Sequence, residues 1–214
     1  MRNQFTPNIE DLPNVIPLFP LKGAVVLPNG QLPLNIFEPR YIDMVFDALS
    51  GDRLIGMIQP LEKNFEALHS IGCAGRIISF SETRDNRILL LLSGISRFEL
   101  VREVDLDRSY RRAEVSWNRF VTDLIDDDIQ YDRDQLMSLA KIYLEQQRLS
   151  IEWTSLDNLT FAELVDTLGS SLPFSPRDKQ GIIETLSVQK RCEMIVALCE
   201  FTAEHSADGE DRMH

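Results

Sequence analysis

Ser187-Val188-Gln189-Lys190 is the pattern with the sharpest chemistry in the chain. On a helix, S-x-x-K sets a lysine amine one turn from a serine hydroxyl, where it can take the proton of an acyl-transferring nucleophile. The supporting S-D-N and K-T-G elements are absent, and Ser187 also stands where a last helix needs an N-cap, so it is read as a cap. No G-x-S-x-G elbow, no G-x-x-x-x-G-K-S/T loop and no G-x-G-x-x-G after a strand occurs. Gly72-Cys73-Ala74-Gly75 comes closest to a phosphate loop but precedes a strand, and is read as a glycine-permitted bend. His69, His205 and His214 are scattered. Asp126-Asp127-Asp128 lacks the central glycine and terminal Glu of a calcium loop and reads as a solvated linker. The three cysteines form no CxxC. Cys192 and Cys199 on one helix stand about 10 Å apart, too far for a disulfide, which suits packed thiols in a reducing cytoplasm. No catalytic residue, cofactor or metal is expected.

Recognition chemistry remains. Phe19, Phe37 and Tyr41 cluster in sequence around Arg40, at the end of an open β surface with proline-rich edges. Unpaired strand edges and apolar grooves bind extended peptide by strand addition, and arginine beside aromatic rings suits carboxylate or peptide contacts. The same four residues could instead pack the β core and its helix, with Arg40 in a structural ion pair. Both readings stay open at this point.

The elements that must position these residues fall into two kinds. Val15 to Phe19, Gln31 to Ile36, Arg53 to Gln59, Cys73 to Ser81, Ile88 to Ser93, Arg97 to Val104 and Arg111 to Trp117 read as strands. Pro17 argues against a central, fully paired position for the first of them. Pro28-Asn29-Gly30 and Arg84 to Arg87 read as turns. One helix interrupts the series. It starts at Pro39 and carries Tyr41, Ile42, Val45, Phe46 and Leu49 to a stop at Ser50-Gly51. Short strands with one inserted helix suggest a small, partly open barrel. Beyond residue 120 the pattern turns helical: Leu136, Leu139, Ala140, Tyr143 and Leu144 form one apolar face and Phe161, Leu164, Val165 and Leu168 another. Ser175-Pro176 and Ser187 are expected to start the last two helices. The fold class is therefore α+β, with a β domain over residues 12–120, a helical bundle over 121–205 and a disordered tail over 206–214.

Charge follows the same division. The 214 residues hold 22 basic and 34 acidic side chains, a net charge of −12. Residues 1–120 contribute 14 basic and 15 acidic groups, and the remainder 8 and 19. Eight of the ten prolines lie in the first 60 residues. With a pI near 4.7, binding to nucleic acid or to anionic lipid is disfavoured, because both draw on Lys and Arg. No leader or span is visible: the apolar runs Ile88 to Leu92 and Met194 to Cys199 fall far short of about 20 residues. A cytoplasmic protein without nucleic-acid or membrane partners is expected. Halves of this size bury modest cores and should lean on each other.

Longer motifs carry a family resemblance. Ile16-Pro17-Leu18-Phe19-Pro20-Leu21, Val26-Leu27-Pro28-Asn29-Gly30 and Leu32 to Tyr41 (LPLNIFEPRY) resemble the opening of the Lon protease N-terminal, substrate-binding domain. Ile71 to Ile77, Gly94-Ile95-Ser96-Arg97-Phe98 and Tyr110 to Val115 look like its later strands. Leu172-Pro173-Phe174, Asp178-Lys179-Gln180, Leu186 and Arg191 are similar to its helical part. The resemblance runs from about Val15 to Glu200. It implies a PUA-like β-barrel joined to a helical bundle, and a free-standing, non-enzymatic protein without the ATPase and Ser-Lys peptidase modules. Its expected partners are unfolded or extended polypeptide segments, or a protease for which it acts as adaptor or modulator. The alternatives are a hydrolase with an unrecognised site and an RNA-binding PUA-like protein.

Overall fold

A computed structural model describes residues 7–104, 107–124 and 132–210, with side chains through Thr202. The acidic run Asp126-Asp127-Asp128 and His214 lie outside the described residues. The strands are β1 (Val15–Pro20), β2 (Gln31–Ile36), β3 (Leu54–Ile58), β4 (Pro60–Leu61), β5 (Asn64–Leu68), β6 (Ile71–Glu82), β7 (Ile88–Val104) and β8 (Arg112–Ser116). The α-helices are α1 (Pro39–Leu49), α2 (Arg133–Gln146), α3 (Phe161–Ser171), α4 (Pro176–Glu184) and α5 (Val188–Glu210). The chain is thus mixed α+β, with a six-stranded sheet ordered β2-β7-β6-β3-β1-β8.

Two departures from the expected strands have local causes. The runs expected as Ile88 to Ser93 and Arg97 to Val104 are one strand, β7. Ala74 pairs with Ser96 and Gly75 with Gly94, so Ile95 is left over as a bulge. A bulge bends a strand without ending it, which lets the first part of β7 pair with β2 and the last part with β8. The ladder β7-β6-β3-β1-β8 consequently returns to β7. Proline-containing β1 lies between two neighbours but is not the fully paired central strand that its prolines argue against, because it divides its pairing. Val15 to Pro17 face β8, and Leu18 to Pro20 face β3 in parallel. Each half of β1 is an edge on one side, which is where proline's missing donor is tolerated. The small β4–β5 hairpin was not expected from the sequence.

Helix starts follow the caps. Ser175 Oγ accepts from Asp178 N at 3.2 Å, and Ser187 Oγ from Lys190 N at 3.2 Å. Thr160 and Glu163 form a reciprocal capping box. Helix α5 runs to Glu210, and residues 211–214 are outside the described region. Among the described residues no helix is long and apolar enough to cross a membrane.

Apolar residues collect into two cores. Ile16, Leu18, Phe98, Ala113, Val115 and Trp117 fill the inside of the returning ladder. The larger core joins Val26, Leu27, Met44, Val45, Ile55 and Leu92 to Leu136, Leu164, Leu168, Ile182, Cys192 and Ile195. Both halves of the chain therefore lean on one shared core. Polar groups are buried with it. Arg97 of β7 is fully buried and meets Asp123 at 2.6 Å, and also donates to the Ile183, Thr185 and Leu186 carbonyls. Arg191 of α5 meets Asp166 of α3 at 2.9 Å and donates to the same Thr185 and Leu186 carbonyls. Gln59 adds a second tie, donating to Pro176 O at 2.9 Å and to Gln180 Oε1 at 3.1 Å. Of the residues that carry the helical part of the resemblance, Gln180, Leu186 and Arg191 take part in these bonds.

Burial pushes the Asp166 carboxyl up to about 6, with Arg191 opposing the rise. Its ordinary value is 3.8. Between these values the folded chain binds more protons at this site than the unfolded chain. Asp166 therefore contributes most below about pH 4, and the contribution is lost as pH rises through about 6. Asp166→Asn removes this titration. Relative to the wild type, the variant should gain about 1–3 kcal/mol between pH 4 and pH 7, as read from urea unfolding of both proteins across that range. A difference that does not change with pH would contradict it.

Candidate functional site

Residues 108–111, just before β8, lie against α1, and a cleft of 380 Å³ opens beside them. Arg40 and Tyr41 line it from α1, Glu103 and Val104 from β7, Arg108 to Arg111 from the connection, and Arg112 from β8. Pro39 at the first helical turn sets the start of α1 and so the direction of the two residues after it. Tyr41, Met44, Val45 and Ala48 turn inward at helical spacing, leaving Asp43 and Asp47 on the outer side.

Those two acids hold the connection down. Ser109 Oγ donates to Asp43 at 2.9 Å, the Tyr110 hydroxyl donates to Asp47 at 2.7 Å, and Arg108 meets the same Asp47 oxygen at 3.1 Å. Burial, reinforced by the bond to Asp47, pushes the Tyr110 hydroxyl up to about 12, so it stays a donor at neutral pH. Arg111 grips Glu103 with two nitrogens, Nε at 2.6 Å from Oε2. The Glu103 hydrogen bond raises the Arg111 pKa above its ordinary value. The Arg40 guanidinium lies 4.6 Å from the centre of the Tyr41 ring and pairs with Glu38 at 2.7 Å.

The four residues singled out from sequence separate in space. Arg40 and Tyr41 share the cleft. Phe19 packs against Tyr41, ring centres 4.4 Å apart, and is only 7% exposed. It supports the cleft floor and offers little surface of its own. Phe37 is 60% exposed and does not line the cleft; the Arg87 guanidinium sits 5.5 Å from its ring. Arg40 is in an ion pair, but an exposed one.

The opposite wall was missed. Arg108-Ser109-Tyr110-Arg111-Arg112 places three arginines in five residues within a half whose net charge is only −1, and that concentration was the available signal. The S-x-x-K candidate resolves into the cap already described, with Ser187 bonded to the Lys190 backbone. Cys73, Cys192 and Cys199 are free and buried. Burial pushes the Cys192 thiol up to about 11 and the Cys199 thiol up to about 12, so neither is a ready nucleophile.

Comparison with known proteins agrees with the motifs. The family model described as the ATP-dependent protease La (LON) substrate-binding domain matches residues 15–200. Lon protease 2 of Myxococcus xanthus is 26% identical over 199 residues, covering 89% of this chain and 24% of the relative. Lon protease 2 of Sorangium cellulosum is 28% identical, covering 90% and 25%. The chain spans about a quarter of the length of these relatives. Among solved structures, a Lon N-terminal domain protein from Xanthomonas campestris superposes with a TM-score of 0.60 at 27% identity, covering 86% of this chain and 97% of that one. The N-terminal domain of the Mycobacterium avium complex Lon protease has a TM-score of 0.62 at 17% identity, a likeness of fold, over 87% and 98%.

Proposed function

The chain belongs to the ATP-dependent protease La (LON) substrate-binding domain family, and from that premise we propose that it binds exposed, extended segments of other polypeptides. Its role in this reading is that of a recognition module, an adaptor or modulator of proteolysis in the cytoplasm. The observation that carries the proposal is the open cleft within the matched region, with Tyr41 on its floor and arginines along its walls. Guanidinium groups hydrogen-bond peptide carbonyls and carboxylates. In the same reading the returning ladder is the small PUA-like barrel, residues 12–120 and 121–205 are its two structural units, and the cleft opens at the barrel rim.

The test is binding of a chemically unfolded, fluorescently labelled client protein to the purified chain, followed by anisotropy. Arg40→Ala is expected to weaken binding about three- to tenfold, since a charge-assisted contact contributes roughly 1 kcal/mol at a partly exposed site. Arg40 is exposed and its loss leaves the core intact. Arg102→Gln, at an exposed pair with Glu114 on the strands, should leave affinity unchanged. Absence of any client binding by the wild-type chain would sink the reading, and cleavage of the client would replace it with hydrolysis.

A further inference from the structure

The cleft's arginines are not equivalent. Arg40 pairs with Glu38, Arg108 with Asp47 and Arg111 with Glu103. Arg112 has no ion pair among the described residues, and its Nε is buried without an acceptor. A buried donor left unmet is rare in folded proteins and marks a place for water, an ion or a ligand group. The charge count limits which. Three guanidiniums are already neutralised, so the cleft can balance one further negative charge and not a run of phosphates.

We infer that the cleft contains a carboxylate subsite, in which Arg112 receives a single carboxylate of a bound peptide beside the Tyr41 and Tyr110 side chains. This inference rests on the peptide-binding reading above and specifies the chemical group that the cleft selects. Guanidinium is suited to the task because its fork of donors matches the two oxygens of a carboxylate. Tyr110 does not oppose an anion, since its hydroxyl is protonated and already committed to Asp47. The net charge of −12 remains compatible with this, because the cleft needs only one locally unbalanced cation. A carboxylate of this kind comes from a chain terminus or from an Asp or Glu side chain, and both present the same two oxygens.

The experiment uses the full chain and three acetylated, labelled peptides of one neutral sequence. The first ends in a free carboxylate, the second in an amide, and the third in an amide with one internal Glu. The free-acid peptide is expected to bind about tenfold or more tightly than the neutral amide, with the preference shrinking as salt rises. Recovery of affinity by the internal Glu assigns the subsite to side-chain carboxylates; no recovery assigns it to the terminus. Arg112→Gln should abolish the acid-over-amide preference, Arg112→Lys should keep part of it, and Arg102→Gln should keep it whole. Equal binding of acid and neutral amide by the wild-type chain overturns the inference while leaving peptide binding intact, and needs no variant to fold. Failure of all three peptides and of the unfolded client overturns both readings. Tighter binding of an RNA oligonucleotide than of the free-acid peptide would also overturn it.

Discussion

Arg97→Ala is expected to lower the unfolding free energy by about 3–5 kcal/mol, a large share of the 5–15 kcal/mol typical of folded domains. The reason is what the truncation leaves behind. Asp123, whose side chain is 2% exposed, would keep a buried charge with no cation opposite it. The carbonyls of Ile183 and Thr185 and the face of Phe120, 4.4 Å from the guanidinium carbon, would lose their partner as well. Removing both charges in an Arg97→Met, Asp123→Leu pair should cost less than Arg97→Ala alone, because the isolated charge is the dominant penalty. Arg97→Lys should recover less than half, since an ammonium cannot span Asp123 and three carbonyls at once. Urea unfolding of a Trp153→Phe background, followed by the fluorescence of the remaining Trp117 and by helical circular dichroism, measures this. Trp117 packs edge-on against Phe98, the residue after Arg97, and so reports the sheet side of the same joint. A loss under 1 kcal/mol would mean that water replaces the guanidinium and that the joint is not cooperative.

This joint also shows why sequence reading stopped where it did. Helix α1, β2 and the caps at Ser175 and Ser187 were legible because their signals are local: a proline at the first turn, a strict alternation, a hydroxyl three residues before an amide. Arg97 and Asp123 are 26 residues apart, and Asp166 and Arg191 are 25 apart. Nothing in their immediate surroundings distinguishes them from solvated surface charges. The same physics hid half of the cleft. Arg40 and Tyr41 stood out because Pro39 and the aromatic residues flank them. The facing wall at Arg108 to Arg112 arrives only because β8 pairs with both β1 and the end of β7, which sets residues 108–111 against α1. Period-2 patterns predict that strands exist but not which strands meet. The β4–β5 hairpin escaped for a different reason: two and five residues with mostly exposed side chains leave little alternation to read.

Gly94→Ala is expected to cost at least about 3 kcal/mol and to reduce soluble, folded yield sharply. A Cβ on Gly94 would lie 1.9 Å from the Leu27 carbonyl oxygen and 2.7 Å from its carbon. Both are backbone atoms, so no side-chain rotation relieves the overlap. The segment from Leu27 to Gly30 would have to lift away from β7. That movement breaks two hydrogen bonds that stitch it down, Gly94 N to Gly30 O at 2.9 Å and Asn29 N to Gly94 O at 3.1 Å. It also draws Leu27 N away from Ser170 Oγ, now 3.0 Å distant, on the helix that carries Asp166. The damage should therefore reach both halves, and unfolding should remain a single transition with a lower midpoint. Gly51→Ala is the matched control, because its nearest neighbour is the Asp47 carbonyl at 3.8 Å and its stability should change by less than about 0.5 kcal/mol. Gly181→Ala sharpens the contrast: its Cβ would approach the methyl carbon of Met194 at 2.6 Å, a flexible side-chain end that can swing aside. If Gly94→Ala unfolds at the same denaturant concentration as these two, the close approach of β7 to the 27–30 turn is not what binds the sheet to the helices. Gly94 opens the Gly94 to Phe98 motif and Arg97 lies within it, so both variants strike one segment of β7 at the joint between sheet and helices.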